Sequence, residues 1–336
     1  MVLFLSLASA VALSQSQGLP KLLRQGQEAL DTGDFARAAQ TFEQARQMAP
    51  DSLEAYRGLV LCYLQQGRLE DAESIGQAAA ARWPNDAELQ HWIGLTYFKK
   101  SQNAPALAAL QRSETLDSTH YDIHFDLALV LLSDSNYSQA ATELEKAIKL
   151  DPKAALPHVL LGRAYQNTNR SMQAVEQFQI ALRLDPAIPL GHYHLGFAYA
   201  SLGRNEEAIA EYNKELQRSD RNPSLLYQLG HCEVETGDWS SAVEHLQKAT
   251  EIDPNHADAF YDLGKAFLLQ GNAGAAISAL RRSTILRPSN PAPHYQLARA
   301  LEKTGMKDEA KRELETFAAL KKAQPVTGGM AAGPVQ

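Results

Sequence analysis

Alanine recurs at Ala38, Ala72, Ala106, Ala140, Ala174, Ala208, Ala242, Ala276 and Ala310, nine residues separated by one unbroken step of 34. A fixed step of this size marks a repeat array in which each unit stacks on the next. Alanine at a recurring site has a packing meaning: two helices cross there so closely that a side chain larger than a methyl would part them. A length of 336 residues would otherwise suggest two globular domains, but this period predicts one elongated domain with a continuous core.

With the alanine at position 20, the repeats run 19–52, 53–86, 87–120, 121–154, 155–188, 189–222, 223–256, 257–290 and 291–324. Position 15 holds Gly33, Gly67, Ser101, Ser135, Asn169, Gly203, Gly237, Gly271 and Gly305. Glycine or asparagine there suits the left-handed conformation that ends a helix, so each repeat is read as two helices joined at that point. Position 8 is small (Gly26, Gly94, Gly162, Gly196, Gly230 and Gly264 among others, with Val60 the exception) and is expected to face position 20. Large apolar residues at position 7 (Leu59, Leu161, Leu229) and position 24 (Phe42, Phe178, Tyr212) fill the space around that contact. Proline at position 32 (Pro50, Pro84, Pro152, Pro186, Pro254, Pro288) stops the second helix or opens the next.

A helix–turn–helix of this length, reading Leu161, Gly162, Ala174, Phe178, Ala181 and Pro186 in one copy, resembles the tetratricopeptide repeat over residues 19–324. The resemblance implies an all-α fold, an α-solenoid forming a right-handed superhelix with a concave groove lined by the first helices. It also implies that positions 2, 5, 9, 12 and 13 line that groove. Position 5 carries Phe125 and then a ladder of Tyr193, Tyr227, Tyr261 and Tyr295. Position 9 supplies Arg163, Phe197, His231, Lys265 and Arg299, and position 12 supplies Phe98. Aromatic and arginine side chains in a concave surface anchor peptides, although tyrosine with a wet hydroxyl also serves as interior filler. The apolar first half and more basic second half suit an extended segment whose acidic end lies toward the C-terminal repeats. Two specialised groove types do not fit. No position-9 residue is the asparagine that a clamp for two carboxylates needs, and position 6 lacks a ladder of asparagines.

Charge narrows the partner class. The formal net charge is −7, from 32 basic and 39 acidic residues without blocks of either sign, which argues against nucleic acid. Cys62 and Cys232 lie five periods apart at the same repeat position. At about 10 Å per helix layer a disulfide between them is out of reach, and both are read as small buried apolar residues.

Residues Val2–Leu13 form an apolar run too short to span a bilayer, so no stable membrane insertion is expected. The run resembles the core of a secretory signal, with Ala8, Ser9 and Ala10 as a cleavage site, although the first basic residue is Lys21. Residues 1–18 are therefore read as a signal peptide or an N-terminal apolar extension, which predicts export to a bacterial periplasm, with the cytoplasm as the alternative. Residues 325–336 read as a disordered tail.

The repeats leave no stretch long enough for a catalytic domain. His124, His158, His192 and His294 all fall at position 4, one repeat apart, too far for a shared metal ion, and are read as spacers. His120 and His124 have two-ligand spacing on a helix but no acidic residue completing the motif. The sharper anomaly is Glu215, Asp220 and Glu233 at packing positions, with Lys214, Arg218, Arg221 and His231 close in sequence. It reads as a site or as a loosened joint.

These features predict a non-enzymatic scaffold that binds a protein or extended peptide, with no cofactor and no metal. The alternative is an accessory subunit of an exported enzyme or glycan-handling complex. A highly charged last helix carrying Phe317 and Leu320 leaves an end-to-end homodimer open.

Overall fold

The computed structural model describes residues 18–218 and 221–323. The apolar run, the C-terminal tail and Asp220 lie outside the described residues. Among those described, every regular element is a helix. The first half holds α1 (18–31), α2 (Phe35–Met48), α3 (Leu53–Gln65), α4 (Leu69–Arg82), α5 (Ala87–Lys99), α6 (Asn103–Leu116), α7 (Tyr121–Ser133) and α8 (Tyr137–Leu150). There follow α9 (Ala155–Asn167), α10 (Ser171–Leu184), α11 (Gly191–Ser201), α12 (Asn205–Leu216) and α13 (Pro223–Thr236). The last are α14 (Trp239–Ile252), α15 (Ala257–Leu269), α16 (Ala273–Leu286), α17 (Pro291–Lys303) and α18 (Lys307–Ala323).

The described residues group into two compact units that meet between Pro157 and His158, inside α9. A linear array is held by neighbour contacts alone, so no distant contact opposes such a division.

The turn at position 15 is left-handed in all nine repeats, with φ between 57° and 87°. Six of these residues are glycine, which takes the conformation freely, whereas Ser101, Ser135 and Asn169 hold it against the clash of their own Cβ. Short polar side chains start many of the helices: Asp34, Ser52, Asp86, Asn222, Asp238, Asn272 and Asn290 each accept a backbone N–H of the first turn. One start departs from the pattern. Leu190 is left-handed at φ 58°, so α11 begins at Gly191 rather than at the repeat boundary. Proline at position 32 lies between helices, where its free carbonyl is used. Pro50 accepts Arg82 at 2.6 Å, Pro84 accepts Arg112 at 3.1 Å and Pro254 accepts Arg282 at 3.0 Å, each arginine coming from the following repeat.

The nine alanines of position 20 have no exposed surface, except Ala310 at 2%. Position 8 faces them as expected. A Cβ on Gly94 would stand 3.3 Å from the Ala106 carbonyl and 2.6 Å from Leu110, and one on Gly196 would meet Tyr212 at 2.7 Å. Cys62 and Cys232 are free thiols with no exposed surface, and burial pushes each up to about 12. Tyr212 fills position 24 completely buried, and its hydroxyl has no hydrogen-bond partner among the described residues.

Odd-numbered helices touch one another in succession, α3 with α5 and α7 in the first unit, and α11, α13, α15 and α17 in the second. Even-numbered helices pack mainly against the odd ones, so the odd helices crowd the inner side of each unit.

Replacing Ser135 by glycine should relieve the left-handed strain and raise stability by about 1 kcal/mol. The midpoint of denaturant unfolding measures it, and a fall in the midpoint would show that the serine hydroxyl holds the turn.

Candidate functional site

In the second unit the inner face carries a tyrosine on four successive odd helices: Tyr193 on α11, Tyr227 on α13, Tyr261 on α15 and Tyr295 on α17. Tyr295 is 42% exposed and the other three are half-buried. Each of three is partly used within the chain. Tyr193 packs against Tyr212 at 6.0 Å, Tyr227 against His256 at 4.4 Å, and Tyr295 against Phe317 at 5.3 Å. The last contact half-buries Phe317, which the sequence leaves open to dimerisation. Burial pushes the Tyr193 and Tyr227 phenols up, so both remain hydrogen-bond donors through the neutral range.

The position-9 residues differ more than their sequence suggests. His231 Nδ1 donates to Asp262 at 2.8 Å, and that carboxylate is only 3% exposed. The hydrogen bond to Asp262 outweighs burial and holds the imidazole above its ordinary value. Lys265 donates to Glu235 at 2.7 Å. Two of the expected basic groups are therefore neutralised inside the unit. Arg163 and Arg299 are exposed and have no carboxylate partner among the described residues, Arg299 donating only to Gln296 at 3.0 Å. His194, beside Phe178 at 5.5 Å, is pushed down to about 4 by burial and then by the charge of Arg163. Phe197 is half-buried on the same face.

In the first unit Phe98 packs into the core around Leu110 and Leu127, and Phe125 stacks on Tyr121 at 5.5 Å. Two cavities of about 400 Å³ each lie beside α3 and α5 and share Arg57, Glu88 and Trp92 in their walls. The sequence reading of this groove passes over Trp92. The indole stacks on His91 at 4.9 Å, and its Nε1 is buried with no acceptor among the described residues. Arg57 donates to Asp86 and Glu88, and His91 Nε2 pairs with Asp126 Oδ2 at 2.7 Å.

The position-4 histidines are pins rather than spacers. Each pairs through Nδ1 with position 23 of its own repeat: His124 with Glu143 at 2.8 Å, His158 with Gln177 at 2.8 Å, His192 with Glu211 at 2.6 Å and His294 with Glu313 at 2.6 Å. His124 Nε2 also lies 3.0 Å from the Ser118 carbonyl. Glu114, His124 and Glu143 offer ligand atoms within 4.8 Å of one another, a set the sequence reading of His124 with His120 does not contain. Lys146 reaches the two carboxylates at 2.6 and 2.9 Å and already supplies their counter-charge. His120 is 67% exposed and pairs with Asp117 instead.

The Glu215/Glu233 anomaly resolves through residues other than its sequence neighbours. Glu233 accepts His245 Nδ1 at 2.8 Å, while Lys214 serves Glu211, His231 serves Asp262 and Arg218 reaches the Pro186 carbonyl. Glu215 is 5% exposed with Oε2 unpartnered among the described residues. A buried oxygen in this state is costly to the fold and closed to a substrate.

Two outcomes follow from these buried pairs. His124→Leu removes one of the two partners of the buried Glu143 carboxylate, leaving Lys146, and should destabilise the chain by about 2 kcal/mol, whereas His120→Leu at the exposed site should change stability by under about 0.5 kcal/mol. Thermal or denaturant unfolding of both variants checks the contrast. Burial, more than the His245 bond opposes it, holds the Glu233 carboxyl above its ordinary value of 4.5, so the folded chain grips that proton more tightly than the unfolded chain. The stability this contributes is present below pH 4.5 and lost as pH rises through the folded value. Glu233→Gln keeps an acceptor for His245 and should flatten that decline, and an unchanged slope of stability against pH would contradict it.

A tetratricopeptide repeat family model matches residues 23–87, 93–155 and 159–223. A model described as TPR repeat matches 230–271, and a further tetratricopeptide repeat model matches 267–325. The chain is 29% identical over 142 residues to anaphase-promoting complex subunit 3 of Schizosaccharomyces pombe, covering 42% of this chain and 21% of that protein. It is 29% identical over 126 residues to the BBSome complex member BBS4 homolog of Drosophila melanogaster, covering 38% and 25%. The chain thus matches a quarter or less of the length of these relatives. Among solved structures, the APC/C hetero-tetramer Cut9-Hcn1 superposes with TM-score 0.52 at 19% identity, covering 80% of this chain and 52% of that one. YrrB, described as a TPR protein with an unusual peptide-binding site, gives TM-score 0.50 at 23% identity, covering 56% and 96%. At these identities the likeness is one of fold. Among the described residues no helix is long and apolar enough to cross a membrane.

Proposed function

We propose that this chain, which belongs to the tetratricopeptide repeat family, is a non-enzymatic scaffold that seats an extended segment of a partner protein on the odd-helix face. The observation that carries this reading is the second unit's inner face, where Tyr193, Tyr227, Tyr261 and Tyr295 stand in a single register on successive odd helices together with Arg163 and Arg299, both without a carboxylate partner among the described residues. Amphipathic rings give contact area with little entropy to lose, and free guanidinium groups supply forked donors for carboxylates. The segment that fits is extended, with acidic side chains between apolar or aromatic ones. The basic half expected from sequence is narrower here, since Lys265 and His231 are already paired.

Subunits of the anaphase-promoting complex among the similar proteins favour a second reading, in which the chain orders other polypeptides inside a larger assembly, including as an accessory subunit of an exported enzyme. The apolar run Val2–Leu13 supports export to a bacterial periplasm as part of either reading.

Crosslinking in the native host, followed by identification of captured chains, tests both. A variant carrying Arg163→Ser, Tyr295→Ser and Arg299→Ser changes exposed side chains and gives up only the Tyr295–Phe317 contact, so its melting temperature should fall by a few degrees at most while capture falls about tenfold or more. Undiminished capture by this variant would overturn the groove assignment.

A further inference from the structure

The first unit's inner face has the opposite electrical character. The cavity of about 400 Å³ between α3, α5 and the start of α7 is walled by Arg57, Glu88, His91, Trp92, Asp122 and Ile123, with Asp117 and His120 at its edge. Its bases are already held: Arg57 by Asp86 and Glu88, His91 by Asp126, and His120 by Asp117. With both imidazoles charged there are three bases against the five carboxylates Asp86, Glu88, Asp117, Asp122 and Asp126. The deficit is therefore negative whatever the state of the histidines. Asp122 is exposed and has no hydrogen-bond or ion-pair partner among the described residues. The remaining wall is apolar, formed by Ala87, Ile123 and the indole ring of Trp92.

We infer that this cavity is a subsite for a basic side chain, arginine or lysine, of a bound polypeptide. An unpaired carboxylate beside an indole face is the combination that attracts a guanidinium or ammonium group, through charge and through the ring quadrupole together. The volume suits one long side chain with its adjoining peptide units. The inference rests on the reading that the odd-helix face seats an extended segment, and it assigns the first unit a preference opposite in sign to that of Arg163 and Arg299.

The test uses the whole chain labelled with ¹⁵N at its tryptophan indoles, with Trp92 as reporter and Trp239 as reference. Acetyl-Ala-Arg-Ala-amide is titrated beside the norleucine and glutamate versions of the same peptide, and beside spermidine. The arginine peptide should move the Trp92 resonance saturably and leave Trp239 in place, and Asp122→Asn or Trp92→Phe should each weaken it about fivefold. Equal binding of the norleucine peptide, preference for the glutamate peptide, binding of spermidine as tight as the arginine peptide, or no movement of Trp92 would each overturn the assignment. The Arg163→Ser, Tyr295→Ser, Arg299→Ser variant separates the two readings: it should lose partner capture yet keep the full arginine response at Trp92.

Discussion

The close approach of position 8 to position 20 governs the rest of the structure. With glycine or another small residue on one helix and a fully buried alanine on its partner, the two helices of a repeat meet almost backbone to backbone. The bulky side chain of position 24 lies over the small residue at position 8 of its own repeat, as Leu110 does over Gly94 and Tyr212 over Gly196. The even helices are thereby held on one side and the odd helices crowd the other, and any side chain at a fixed odd-helix position reappears one layer on with the same orientation. A ladder such as Tyr193, Tyr227, Tyr261 and Tyr295 is possible only because the pivot beneath it never varies.

On this invariant frame the electrostatics differ from place to place. In the second unit the inner face keeps exposed guanidinium groups on Arg163 and Arg299, while the cavity of the first unit is rich in carboxylates around an indole. Both faces also spend charge on themselves, since Lys265, His231, Arg57 and His91 all have carboxylate partners. What a groove of this kind offers a ligand is therefore the remainder after internal pairing, which the list of groove residues alone does not reveal.

Local features were legible in the sequence. The period, the paired helices and the left-handed turns follow from alanine, glycine and proline, whose effects act within a few residues. The charge pairs were not, because they join residues about a repeat apart, as in His91 with Asp126 and His231 with Asp262, and depend on the register between neighbouring odd helices. One long-range signal was present and passed over. His124, His192 and His294 each have a glutamate 19 residues later, and that repetition at a fixed offset marks a contact as surely as the alanines do. Glu233 escaped for a different reason: its partner His245 lies across the turn on the second helix, so the bases nearest in sequence were the wrong ones to consider.

The two kinds of histidine pair bear on how such a chain can be copied and rearranged. A pin between positions 4 and 23 begins and ends inside one repeat, so that repeat can be duplicated or transplanted with its buried charges balanced. The bond from His231 to Asp262 crosses a repeat boundary, and Asp262 is almost wholly buried. Excising or inserting a unit at that seam would strand a carboxylate in the core. Duplication is thus tolerated unevenly along the array, and the sealed seams fix which repeats must stay neighbours through its descent.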